Sequence, residues 1–176
     1  FENIEFKVEN SVAEIILNRP NALNALNAAL TAELKKALDL CANDEVKAVI
    51  LSGNGKGFSS GGDIKMMSQL DTNPKLLSDL LENLHNVIIQ MRNLEKPIIA
   101  AIGGFAFGAG FSLALACDFR IGGNSSLYSC AFVNIGLVPD SGASFFLTKL
   151  VGYAKATELM MLGNTIDSKM AMQMGL

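Results

Sequence analysis

Apolar and polar residues alternate over positions 4–9, and a second β-like run covers 12–18, with the polar pair Asn10-Ser11 between them. This pattern predicts a β-hairpin. Asn27 then stands at the head of a run whose apolar positions (Ala32, Leu34, Ala37, Leu38, Cys41) are spaced by three and four, predicting a capped helix. Val46–Leu51 reads as a short buried strand, Asn54–Gly62 as a glycine and serine loop, and Asp63–Leu70 as helical. Residues 75–93 form the longest predicted helix, with Leu76, Leu80, Leu84, Val87, Ile88 and Met91 on one stripe. Ile98–Ile102 reads as a second buried strand and Gly108–Ala116 as a buried helix. Short strands follow near Phe119–Ile121 and Leu127–Ser129, then helices over 142–150, 153–162 and 167–174. Strand and helix alternate, which places the chain in the α/β class with a largely parallel sheet.

Composition narrows the function classes. The chain has 176 residues, half of them hydrophobic, a length that suits one domain with a sizeable core. Its net charge of −3 and lack of a Lys/Arg cluster argue against nucleic acid as a partner. Cys41, Cys117 and Cys130 are too few and too scattered for a disulfide framework or a metal site, and read as small buried hydrophobes in a reducing compartment. Pro97–Cys117 is uncharged and long enough to span a bilayer. Its four glycines and β-like opening fit a buried strand, a glycine turn and a buried helix better, so no membrane span is expected.

Two segments share one layout of apolar strand, glycine loop and helix. One runs from Val49-Ile50-Leu51 to Gly57-Phe58-Ser59-Ser60-Gly61-Gly62-Asp63-Ile64. The other runs from Ile98–Ile102 to Gly103-Gly104-Phe105-Ala106-Phe107-Gly108-Ala109-Gly110. Glycine between strand and helix lets backbone N–H groups approach a ligand. Neither loop carries a phosphate-loop or dinucleotide fingerprint. Side by side, they could aim two N–H donors at one oxygen, as an oxyanion hole does. Tight packing without a ligand is the plain alternative for each.

These loops also carry a resemblance. ILNRPNALNALN at 16–27, GFSSGGDI at 57–64, KPIIAAIGGFAFGAGFSLALACDFRI at 96–121 and the stretch from Val133 to Leu176 resemble the crotonase (enoyl-CoA hydratase/isomerase) superfamily, in register over nearly the whole chain. The resemblance implies a spiral of ββα turns with two roughly perpendicular sheets wrapped by helices. It implies an acyl-CoA thioester substrate, no separate cofactor and no metal, because CoA is part of the substrate. It further implies a homotrimer or hexamer, and a cytoplasmic or organellar location. Residues 1–176 correspond to the family's core, and the family's further C-terminal helices would follow the point where this sequence stops.

Residue by residue, Gly62 and Ala109 match the two oxyanion-hole donors. Leu23, Ala25, Ser60, Gly61, Asp63 and Ile64 match the region that wraps CoA. Met66, Met67, Phe111, Ser112 and Phe132 are the expected acyl-pocket residues. Ser112 and Phe132 stand where a hydratase has its two glutamates, so water addition is not expected. Asp140 stands where several isomerases of the superfamily carry a single acid. One base that removes a proton from one carbon and returns it to another suffices to move a double bond. Apolar Phe132, Leu137 and Phe145 nearby would raise its pKa. On residues alone the favoured reading of Asp140, with Ser141, is the cap of the helix at 142–150.

Other assignments stay open beside this one. His85 with Asp140 resembles the base and nucleophile of the superfamily's dehalogenases, though this chain has no Trp. A thioester hydrolase and a non-catalytic acyl-CoA binder are further alternatives. Asp118 reads as a structural corner, Asp63 as a cap that orders its loop, and Asn18 and Arg19 as the end of the hairpin.

Overall fold

A computed structural model describes residues 1–67 and 75–176, without the side chains of Leu76 and Leu77. The predicted hairpin is present as β1 (Ile4–Glu9) and β2 (Val12–Leu17). Asn10 and Ser11 both take positive φ, 50° and 63°, the backbone that a two-residue hairpin turn requires. Asn27 caps α1 (Ala28–Cys41) by accepting from the Leu30 N–H at 2.9 Å.

Parallel strands then build outward from the hairpin. β3 (Ala48–Gly53) pairs with β2, β4 (Ile98–Ile102) with β3, and β6 (Phe119–Gly122) with β4, giving a five-stranded sheet in the order β1-β2-β3-β4-β6. The hydrophobic run at Val46 begins two residues ahead of the observed strand, because Val46 itself donates to Asn43 O in a turn. A second sheet of three strands, β5 (Phe105–Phe107), β7 (Leu127–Ser129) and β8 (Ile166–Asp167), lies beyond it in the order β5-β7-β8.

The uncharged stretch from Pro97 thus divides into β4, β5 and α4 (Ala109–Ala116), and all eight residues of α4 are buried. Among the described residues no helix is long and apolar enough to cross a membrane. α2 covers Ile64–Met67; the remainder of the helix expected through Leu70 lies outside the described residues. On α3 (Lys75–Asn93), Leu80, Leu84, Val87, Ile88 and Met91 form the buried stripe, as expected, and α3 packs across α1. α5 (Ala143–Val151) packs on α4, and α6 (Tyr153–Leu162) packs on α5. α7 (Ser168–Gln173) follows β8, capped by Asp167.

Four short elements escape the sequence pattern: β5, β8 and the two 3₁₀ turns Pro20–Ala22 and Ala131–Ile135. The sequence pattern reads β5 as loop. Its three residues form a strand only because β7 on one side and Ser59 on the other supply hydrogen-bond partners.

Candidate active site

The first glycine loop is strung between two other segments. On one side, Ser60 N–H donates to Leu23 O (3.0 Å), Leu26 N–H to Gly61 O (2.7 Å) and Asp63 N–H to Leu26 O (3.0 Å). On the other side, Ser59 N–H donates to Phe105 O (3.2 Å) and Phe107 N–H to Ser59 O (3.0 Å). Gly62 is bridged to Leu26 in parallel fashion through its two neighbours, so its own N–H faces away from the 23–26 segment.

The second loop delivers α4. Ala109 is its first residue and Gly108 ahead of it makes no side-chain cap. The Ala109 N–H therefore has no carbonyl within the helix to donate to. The loops touch at Gly61, whose φ is +102°. A Cβ there would lie 2.9 Å from Phe107 O and 3.3 Å from Ala109 N. Only glycine allows this approach.

Gly62 and Ala109 open on one cavity of about 160 Å³, and Asp140 is in its wall. Ser60, Gly61, Ile64, Met67 and Phe132, all expected at the site, line it as well. Asp140 is the only titratable side chain among its described lining residues. Burial in these apolar walls pushes the Asp140 carboxyl above the usual carboxylate range. A hydrogen bond from Ser141 and the charge of His85 partly offset this.

Asp140 does not cap α5. The cap position is Gly142, without a side-chain bond, and Asp140 contributes only its backbone carbonyl, to Ala143 N–H at 2.9 Å. Gly142, at φ +80°, makes the turn into the helix, which frees the carboxylate for the cavity.

Several expected residues lie elsewhere. Phe111 faces a separate cavity with Arg120 and packs on Tyr128 at 5.8 Å between ring centres. α4 is buried on every side and apolar but for Ser112, so periodicity could not tell which of its residues face the site. Ser112 is fully buried beneath the cavity wall and bonds to Gly108 O and Asp140 O. Phe145 is 60% exposed and lines, with His85, a groove between α3 and α5 rather than the cavity. Met66 is outside the cavity's lining, whereas the Met67 methyl sits against Gly62. Leu23 and Ala25 flank the first loop without lining the cavity; Leu23 is 42% exposed and Ala25 is buried.

Asp63 accepts from Met66 N–H (3.3 Å), as a loop-ordering cap would. Sequence reasoning did not find its second partner, Arg19, at 3.0 Å. Nor did it find the wall formed by Leu80, Leu81 and Leu84 of α3, or by Asn134 and Ile135. Leu80 and Leu84 were legible as core but gave no sign that their outer edge meets a cavity. Asp118 holds the corner as expected, accepting from Arg92 (2.8 Å) and from Ile98 N–H (2.9 Å). Burial pushes the thiols of Cys117 and Cys130 up to about 12, and that of Cys41 to about 11. No group of three His, Cys, Asp or Glu among the described residues is placed to hold a metal ion.

Two strand-fed glycine loops that meet over a carboxylate-bearing cavity are the arrangement the sequence motifs led one to expect. The family model described as "Enoyl-CoA hydratase/isomerase" matches residues 7–176. The chain belongs to the enoyl-CoA hydratase/isomerase family. Within this family it is 41% identical to a putative enoyl-CoA hydratase/isomerase of Bacillus subtilis, over 99% of this chain and 68% of that protein. It is 34% identical to the trans-2-decenoyl-[acyl-carrier-protein] isomerase of Streptococcus mutans, over 100% of this chain and 68% of that protein. Among solved structures, an enoyl-CoA hydratase from Polaromonas sp. superimposes with a TM-score of 0.93 at 34% identity, covering 98% of this chain and 68% of that one. The crotonase fold is thereby established, and the chain is a crotonase-superfamily enzyme. Family membership covers both hydratases and isomerases, so the reaction has to be argued from the site.

Proposed function

We propose that this protein is an isomerase that shifts a double bond along an acyl-CoA thioester. The observation that carries the reading is the cavity itself, with two backbone N–H donors and one carboxylate. Hydration of a double bond calls for groups that position a water and deliver a proton, a role the hydratases give to two glutamates. By the family resemblance Ser112 and Phe132 take those positions; one is sealed beneath the wall and the other is an apolar part of it.

In this reading the thioester oxygen lies against the N–H groups of Gly62 and Ala109. Asp140 removes a proton from the carbon next to the thioester carbonyl of a 3-enoyl substrate. The electron pair moves into an enolate whose oxygen charge the two N–H groups stabilise. As the enolate collapses, the double bond forms next to the carbonyl and Asp140 returns the proton two carbons further along. Atoms balance without water, metal or redox partner. The raised pKa of Asp140 suits a group that must both take and give this proton. In the same reading the 23–26 segment and residues 60–64 hold CoA beside the donors.

Hydration is the second reading, favoured by names such as that of the Polaromonas structure. Incubation with 3-enoyl-CoA and 2-enoyl-CoA separates the two. An isomerase interconverts them with no change in mass, followed by the ultraviolet absorbance of the conjugated thioester. Rapid gain of one water by 2-enoyl-CoA, seen by mass spectrometry, would overturn the assignment.

A further inference from the structure

Ser112 is fully buried in a helix whose other residues are Ala, Gly, Phe and Leu. A hydroxyl there costs stability unless it is used. A serine in a helix ordinarily bonds back to the carbonyl four residues earlier. Here that contact, to Gly108 O, is long at 3.4 Å, and the shorter bond of 3.1 Å crosses to the backbone carbonyl of Asp140. The next residue, Ser141, is 1% exposed and has φ +51°, a conformation rare for a residue other than glycine. Its hydroxyl donates to Asp140 Oδ1 at 2.9 Å.

We propose that Ser112 and Ser141 are positioning residues for Asp140: Ser112 fixes the backbone of its loop, and Ser141 fixes the direction of its carboxylate. This rests on the reading of Asp140 as the base. Ala109 and Ser112 lie one turn apart on α4, so this rigid helix sets the spacing between an oxyanion donor and the base. A carboxylate that serves two carbons of one substrate needs that spacing held closely. The Ser141 bond also favours the ionised carboxylate, in the same direction as the electrostatic influence of His85 on α3. The cavity's other described walls carry no titratable side chain.

Ser141→Gly separates this role from a merely structural one, because glycine suits φ +51° while the hydroxymethyl group and its bond to Asp140 are lost. The expected result is an unfolding midpoint at or above that of the wild type, with kcat on 3-enoyl-CoA down about tenfold and KM within about twofold. The Asp140 carboxyl, followed by ¹³C NMR and assigned by its loss in Asp140→Asn, should titrate at higher pH in Ser141→Gly. Ser112→Ala should likewise lower kcat about tenfold with little change in KM. An unchanged Asp140 titration in Ser141→Gly overturns the role of Ser141, and unchanged kcat and KM in Ser112→Ala overturn that of Ser112. Full activity in Asp140→Asn would instead sink the reading of Asp140 as base, while the NMR titration still decides whether Ser141 holds the carboxylate.

Discussion

The guanidinium of Arg19 meets the carboxylate of Asp63 at 3.0 Å, and the same Nη1 atom donates to Ala25 O at 2.5 Å. The hairpin's end thereby ties the 23–26 segment to the loop that carries Gly62. Both side chains are largely buried, so removing one leaves the other charge without its partner. Arg19→Ala is expected to lower stability by about 1–3 kcal/mol. It should also weaken CoA-thioester binding, since the segment it orders is the proposed CoA wall. Urea unfolding and calorimetric titration with a non-reactive acyl-CoA check the two effects.

Gly61 should be intolerant of any side chain. A Cβ would press on Phe107 O and Ala109 N, and φ +102° strains any other residue. Gly61→Ala is expected to cost about 2–4 kcal/mol and to abolish turnover by separating the two donor loops. Gly103→Ala is the control, because no atom lies within 4 Å of its Cβ position. Thermal unfolding of the two variants should differ sharply; equal midpoints would mean the loops do not meet as described.

Burial raises the Asp140 pKa in the folded chain, so between its unfolded and folded values the native state binds more protons than the unfolded one. Stability therefore falls as pH rises through that window, which begins near pH 4 and ends at the raised folded value. Asp140→Asn removes this penalty. Its Tm relative to wild type should rise between pH 4 and pH 7 even as activity is lost, a trade common at active sites. The acid limb of the wild-type kcat/KM profile should lie above the ordinary carboxylate range. A variant less stable than wild type at pH 7 would indicate that the bond from Ser141 outweighs the cost of burying the charge.

His85 is exposed in the α3–α5 groove and outside the cavity's lining. His85→Gln is expected to leave isomerisation within about twofold, while moving the acid limb slightly upward as a positive charge near Asp140 is removed. A dehalogenase or thioester hydrolase that used His85 as its base would lose halide or CoA release in the same variant. Assays for those products on halogenated and saturated acyl-CoA esters distinguish the cases.

What could be read from the sequence was what local chemistry decides. Asn27 caps α1 because its own side chain reaches Leu30 N–H, and Asn10-Ser11 turns because both residues tolerate positive φ. The stripe on α3 is legible for the same reason, since helical spacing alone brings Leu80, Leu84 and Met91 to one side. β5 was hidden because it exists only through partners distant in sequence. The Arg19–Asp63 tie was hidden because 44 residues separate its ends. The two glycine loops and Asp140 around the cavity were found through motif and family register. The direction of Phe111 was not, because a helix buried on every side carries no signal of facing. Asp140 could be read as a cap from its neighbours alone, and only the turn made by Gly142 removes that reading.

The most direct test of Asp140 as the proton shuttle is turnover of 3-enoyl-CoA by Asp140→Asn, with thioester binding measured on the same preparation. The site predicts a kcat lower by about 10²–10⁴-fold, with the dissociation constant for a non-reactive acyl-CoA within about threefold of wild type. Double-bond migration at a tenth of the wild-type rate or more would contradict it.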